Sequence, residues 1–147
     1  MIHSAASQKQ FHSAASQDEL SWVLQPLLAL AGVTHAVVLS NDGMLRGGSP
    51  DLPQAARESV AAMMASHHGS SRALLSAFSG KEPRPVRQMV VEDDAGIAFA
   101  TSAAENSILV VYGSLSTNLG EVAHQMQIQV HKLGKEMESP ARGGASA

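Results

Sequence analysis

Residues Thr34-His-Ala-Val-Val-Leu-Ser40, then Asn41-Asp42-Gly43, then Met44-Leu-Arg-Gly-Gly48, decide the fold of this chain. The first run is rich in β-branched residues. The Asp-Gly pair supplies the positive-φ position that a tight turn needs. A second short run follows at once, so the stretch reads as a β-hairpin. An antiparallel sheet therefore begins near residue 34.

Upstream of the hairpin, Ser16-Gln-Asp-Glu19 matches a helix capping box. Leu20, Val23, Leu24, Leu27, Leu28 and Ala31 follow at helical spacing, and Gly32 ends the segment. Pro26 lacks the N–H that the Trp22 carbonyl would accept, which predicts a kink.

Downstream, Pro53 to Phe78 reads as one helix, with Asp51 as its candidate cap. One face collects Ala56, Val60, Met63, Met64, His67, Leu74, Leu75 and Phe78, and is expected to pack on the sheet. The opposite face collects Ala55, Ser59, Ala62, Ser66, Gly69, Ala73 and Ala77. Gly69 is a potential bend. Three strands follow in quick succession: Val86 to Glu92, Gly96 to Ser102, and Ile108 to Gly113. The last is nearly all apolar, which suits a central strand. A final helix is expected from Ser116 to Glu138, with Leu119, Val122, Met126, Val130, Leu133 and Met137 as its apolar stripe. The order α-ββ-α-βββ-α predicts an α+β fold on one antiparallel sheet.

The ends differ in texture. His3-Ser-Ala-Ala-Ser-Gln8 recurs as His12-Ser-Ala-Ala-Ser-Gln17. Two copies are too few for a solenoid. Residues 1–16 are expected to be a disordered tail, 17–138 the domain, and 139–147 a second tail around Pro140 and Gly143-Gly144.

Hydrophobic residues make up 44% of the 147 residues, aromatics 3% and charged residues 16%, with a net charge of -3. The apolar share supports a core and excludes a wholly disordered chain. The charge and the scarcity of rings argue against nucleic-acid binding. The absence of cysteine excludes disulfides and thiol chemistry. No apolar leader and no run long enough to span a bilayer is read, so the expected compartment is the cytoplasm.

Catalytic signals are weak. There is no phosphate-binding glycine loop, no HExxH and no nucleophile elbow. His124 and His131 lie seven apart on one helix, too far for one metal ion, and read as solvated. His67 and His68 point in different directions on theirs. His35 reads as a satisfied, half-buried histidine, and Asp93-Asp94 as a solvated turn. None of the 19 serines sits in a nucleophile context. The chain is read as no enzyme, with no cofactor and no metal.

Two features stand out. The small-residue face of the middle helix (Ala55, Ser59, Ala62, Ser66) lets another backbone approach closely. The strand entered through Pro85 suits a sheet edge, and an apolar edge must be covered or paired. Val86, Arg87, Gln88, Met89 and Val90 are therefore the candidates for pairing with a two-fold mate.

The stretches Leu20-Ser-Trp-Val-Leu24, Gly32 to Leu45, Val86 to Glu92, Gly96 to Thr101 and Asn118 to Met126 together resemble the roadblock/dynein light-chain superfamily, in its bacterial MglB-like branch. The resemblance implies a five-stranded antiparallel sheet. The first and last helices would lie on one face, the middle helix on the other. It implies a homodimer through the middle helix and third strand, acting on a Ras-like small GTPase, in systems that include a sensor histidine kinase. The dimer would scaffold the GTPase or stimulate GTP hydrolysis, with Arg57, Met64, His68 and Arg72 near the contact. The alternative is a small-molecule sensor with a pocket over the sheet.

Overall fold

The computed structural model describes residue 20 and residues 22–104 and 106–146, with side chains through residue 135. The capping box and the duplicated segment lie outside the described residues. Helix α1 covers 22–28 and runs through Pro26 without a break. Strands β1 (Val33–Ser40) and β2 (Leu45–Gly48) form the expected hairpin. Gly43 takes φ 93° at its turn, and the Gly43 N–H donates to the Ser40 carbonyl at 2.9 Å. The Ser40 hydroxyl donates to the Asp42 carboxylate, a contact that holds this carboxyl below its usual pKa. Register shifts between Val38 and Leu39, which leaves Arg46 as the extra residue of a bulge.

Helix α2 (Gln54–Ser79) is continuous through Gly69, which does not split it. A Cβ on Gly69 would meet nothing within 4 Å. Pro53 holds the N-cap position, with no side-chain cap bond. Asp51 is not the cap. Its carboxylate faces His35 Nδ1 at 3.4 Å instead.

Strands β3 (Gln88–Glu92), β4 (Ile97–Ala103) and β5 (Ser107–Gly113) complete one antiparallel sheet in the order β2-β1-β5-β4-β3. The apolar run forms the central strand, as its composition requires. Gly113 lies where β5 passes the end of α1. A Cβ there would come within 2.7 Å of the Gly32 carbonyl oxygen, so only glycine fits without movement.

Helix α3 (Leu119–Ser146) starts three residues after Ser116 and runs past Glu138, where the sequence pattern ends it.

The two faces of the sheet carry separate cores. On one, Val33, Ala36, Val38, Phe99, Leu109 and Val111 pack against Val23, Leu24 and Leu27 of α1 and Val122, Met126 and Leu133 of α3. On the other, Val37, Leu39, Met89, Ala100, Ile108 and Val110 pack with Val86 beneath Ala61 of α2. The first and last helices thus share a face and the middle helix takes the other.

Candidate functional site

The candidate site is built from α2 and the open edge of β3. Edge strands offer an unpaired row of backbone donors and acceptors. β3 is short but apolar: Val90 is 52% and Val91 46% exposed, while Met89 is buried. The chain entering it is tied down. The Val86 N–H donates to Nε2 of His68 at 3.1 Å. The Arg87 carbonyl accepts from Thr101 Oγ1 at 2.9 Å and from the Ser102 N–H at 3.1 Å, and the Ser102 hydroxyl donates to the Val86 carbonyl. Arg72 Nε donates to the Arg84 carbonyl at 3.3 Å. The edge is held ready rather than loose.

Helix α2 meets this edge after crossing the hairpin. Ala61, Ala62 and Ala65 lie over Gly43, and the Arg57 stem lies over Gly48. Close approach to a glycine-bearing hairpin selects small residues at the contact. That is why Ala61 and His68, not the large apolar residues, are the buried positions of α2. The expected sheet-facing set is therefore corrected. Val60 and Met64 do pack toward the sheet. Met63, His67, Leu74, Leu75 and Phe78 are exposed, Phe78 at 83%. A 26-residue helix is about 39 Å long, whereas five strands span about 19 Å from first to last. Length alone could have shown that the C-terminal turns must overhang the sheet.

Ala55, Ser59, Ala62 and Ser66 are exposed in the single chain, as are Arg87, Gln88 and Val90. Val86 and Met89 are buried within the chain. Of the four residues assigned to a GTPase contact, His68 is buried, and Arg57, Met64 and Arg72 are half-buried. His68 and Met64 serve the core in the single chain. Burial and the nearby Arg72 charge hold the His68 pKa below its ordinary value, so its ring is a neutral acceptor.

A groove of 480 Å³ opens on the α2 side of the sheet. Its floor is one row across four strands: Val91, Ala98, Tyr112 and His35, paired in register. Met63, Met64 and His67 of α2 form one wall. The rings of His35 and Tyr112 stack at 6.4 Å. Among the described residues, no group of three or more metal-ligating side chains comes together. No helix among them is long and apolar enough to cross a membrane. His124 and His131 are exposed on α3, and Asp93 closes its own turn by accepting from the Ala95 and Gly96 N–H groups.

One buried residue escaped the sequence pattern. Gln129 sits fully buried in line with Val122, Met126 and Leu133, and both its amide atoms lack a partner among the described residues. Its helical position held the signal, since it falls seven residues after Val122.

A sheet in the order β2-β1-β5-β4-β3, with α1 and α3 on one side and α2 on the other, defines a roadblock fold. The Roadblock/LC7 domain profile matches residues 20–113, and the chain belongs to that family. A Roadblock/LC7 domain from Streptomyces avermitilis is similar at 24% identity and TM-score 0.72, over 80% of this chain and 96% of that one. Myxococcus xanthus MglB is similar at 19% identity and TM-score 0.70, over 82% and 96%. The gliding protein MglB from Thermus thermophilus is similar at 18% identity and TM-score 0.69, over 85% and 93%. No curated protein matches.

Proposed function

We propose that this chain is a homodimeric, non-enzymatic regulator of a Ras-like small GTPase in bacterial signalling, acting in the cytoplasm beside a sensor histidine kinase. Membership of the Roadblock/LC7 family and the likeness of the fold to MglB support the class. The observation that carries the reading is the apolar, unpaired β3 edge beside an α2 helix whose outward side bears Met63, Leu74, Leu75 and Phe78. Contiguous exposed apolar surface of this kind marks a protein interaction site. The GTPase surface would be formed jointly by the two α2 helices, with Arg57 and Arg72 at its margin. The GTPase would be scaffolded there or have its GTP hydrolysis accelerated.

The test is co-elution with the P-loop GTPase encoded nearest this gene, loaded with GDP or with a non-hydrolysable GTP analogue, followed by GTP turnover. Binding in at least one nucleotide state is the expected result. No binding in either state would sink the reading.

The groove supports a second reading, a sensor of a small apolar molecule. Its apolar floor and walls favour it. A rise in melting temperature with an added apolar ligand would be its signature.

A further inference from the structure

On the face of the sheet away from α2, a second cleft of 530 Å³ opens between α3 and the approach to β3. We propose that this cleft binds a small dianion, a phosphate monoester or a dicarboxylate, with Arg87 as its charged anchor. The site shares no residue with the apolar groove and does not rest on the GTPase reading.

Three elements build the cleft. From β4 comes Thr101, only 2% exposed and paired in register with Gln88. The Thr101 hydroxyl donates to the Arg87 carbonyl at 2.9 Å, and the Ser102 N–H donates to the same carbonyl at 3.1 Å. The Ser102 hydroxyl holds the Val86 carbonyl. The backbone that carries Arg87 is thus fixed before any guest arrives. From α3, Gln127 Nε2 donates to Thr101 Oγ1 at 3.4 Å. That bond uses one of the two N–H groups of the amide and leaves the other to give. His124 stands three residues earlier, on the same side of α3, and lines the same cleft.

The lining selects the charge of the guest. The chain as a whole is acidic, with 13 Asp and Glu against 10 Lys and Arg. No carboxylate lines this cleft, and Arg87 brings a full positive charge to it. Among the described residues, no acidic side chain pairs with Arg87. A guanidinium presents a planar fork of N–H donors that matches a carboxylate or a phosphate. The amides of Gln88 and Gln127 add neutral donors, and the His124 imidazole has an N–H to give in either protonation state. So many donors around one cation favour a dianion over a monoanion. The lining has no Phe, Tyr or Trp on which a nucleobase could stack, which points to a compact guest rather than a nucleotide.

The test titrates the full, isotope-labelled chain with sodium phosphate and, separately, with sodium succinate, at constant ionic strength in chloride. The readout is the NMR signals of the Arg87 Nε–H, the Gln127 amide and the His124 ring. Saturable shifts at these groups are expected, with acetate binding more weakly than the better of the two probes. Tighter binding of phosphate would assign a phosphate monoester, and tighter binding of succinate a dicarboxylate. Arg87→Gln should weaken binding at least about tenfold, because it removes the charge-assisted bonds. Gln127→Glu sets a carboxylate in the cleft from α3, away from the β3 edge, and should abolish saturable binding while circular dichroism and light scattering stay as in the wild type. Shifts that never saturate with either probe, or that appear equally at Arg46 on the far edge strand β2, would overturn the site. So would a folded Gln127→Glu chain that binds both probes as the wild type does.

Discussion

Nε2 of His68, on the buried side of α2, accepts the backbone N–H of Val86 at 3.1 Å, two residues before the edge strand begins. This bond couples the middle helix to the position of β3. Only a ring whose Nε2 carries no proton can make it, and burial together with Arg72 favours that neutral form. The coupling has a direction with pH. The folded-state pKa lies below the ordinary 6.5, so the unfolded chain binds the extra proton first. The stabilisation is present above pH 6.5 and is lost as pH falls below it, at a rate of at most about 1.4 kcal/mol per pH unit. Urea unfolding between pH 7.5 and pH 5 should show this fall. His68→Gln, which offers an amide oxygen that does not titrate, should flatten it.

The small face of α2 is exposed at Ala62. In the proposed homodimer, a carboxylate placed there would meet the second chain's helix and its own two-fold copy at close range. Ala62→Glu is expected to yield a folded monomer, read by light scattering and circular dichroism. An unchanged dimer would count against the use of this face.

Gln129 is fully buried with neither amide atom partnered among the described residues. An unpaired buried amide costs about 1–3 kcal/mol. Gln129→Met keeps the length and removes the polar atoms, so it should stabilise the fold by about 1–2 kcal/mol in denaturant titrations.

Two glycines should respond in opposite senses to alanine. Gly69 is exposed within α2 with open space around its missing Cβ, so Gly69→Ala should raise stability by about 0.5–1 kcal/mol. At Gly113 the added methyl meets the Gly32 carbonyl and Thr117, and Gly113→Ala should cost about 1–3 kcal/mol. Melting curves of the two variants check both.

The strands, their order along the chain and the presence of the helices were legible in the residues, because each rests on local pattern. β-branched and apolar runs marked β1, β3, β4 and β5, the Asp-Gly pair marked the hairpin turn and with it β2, and Pro85 marked the edge. Apolar spacing also marked which side of α3 is buried, apart from Gln129. For α2 the same logic failed. Its period located the helix, but the residue it turns toward the sheet depends on how closely and at what angle it crosses the hairpin. Gly43 lets Ala61, Ala62 and Ala65 approach closely and Gly48 takes the Arg57 stem, and that rotation leaves Met63, Leu74, Leu75 and Phe78 outside. The fate of His68 followed from the same crossing: nothing in its neighbours distinguishes it from His67, yet one is buried on the Val86 N–H and the other lines an open groove. Local chemistry determined which elements this chain makes. Packing between elements distant in sequence decided which surface they leave uncovered, and that surface is where a partner can act.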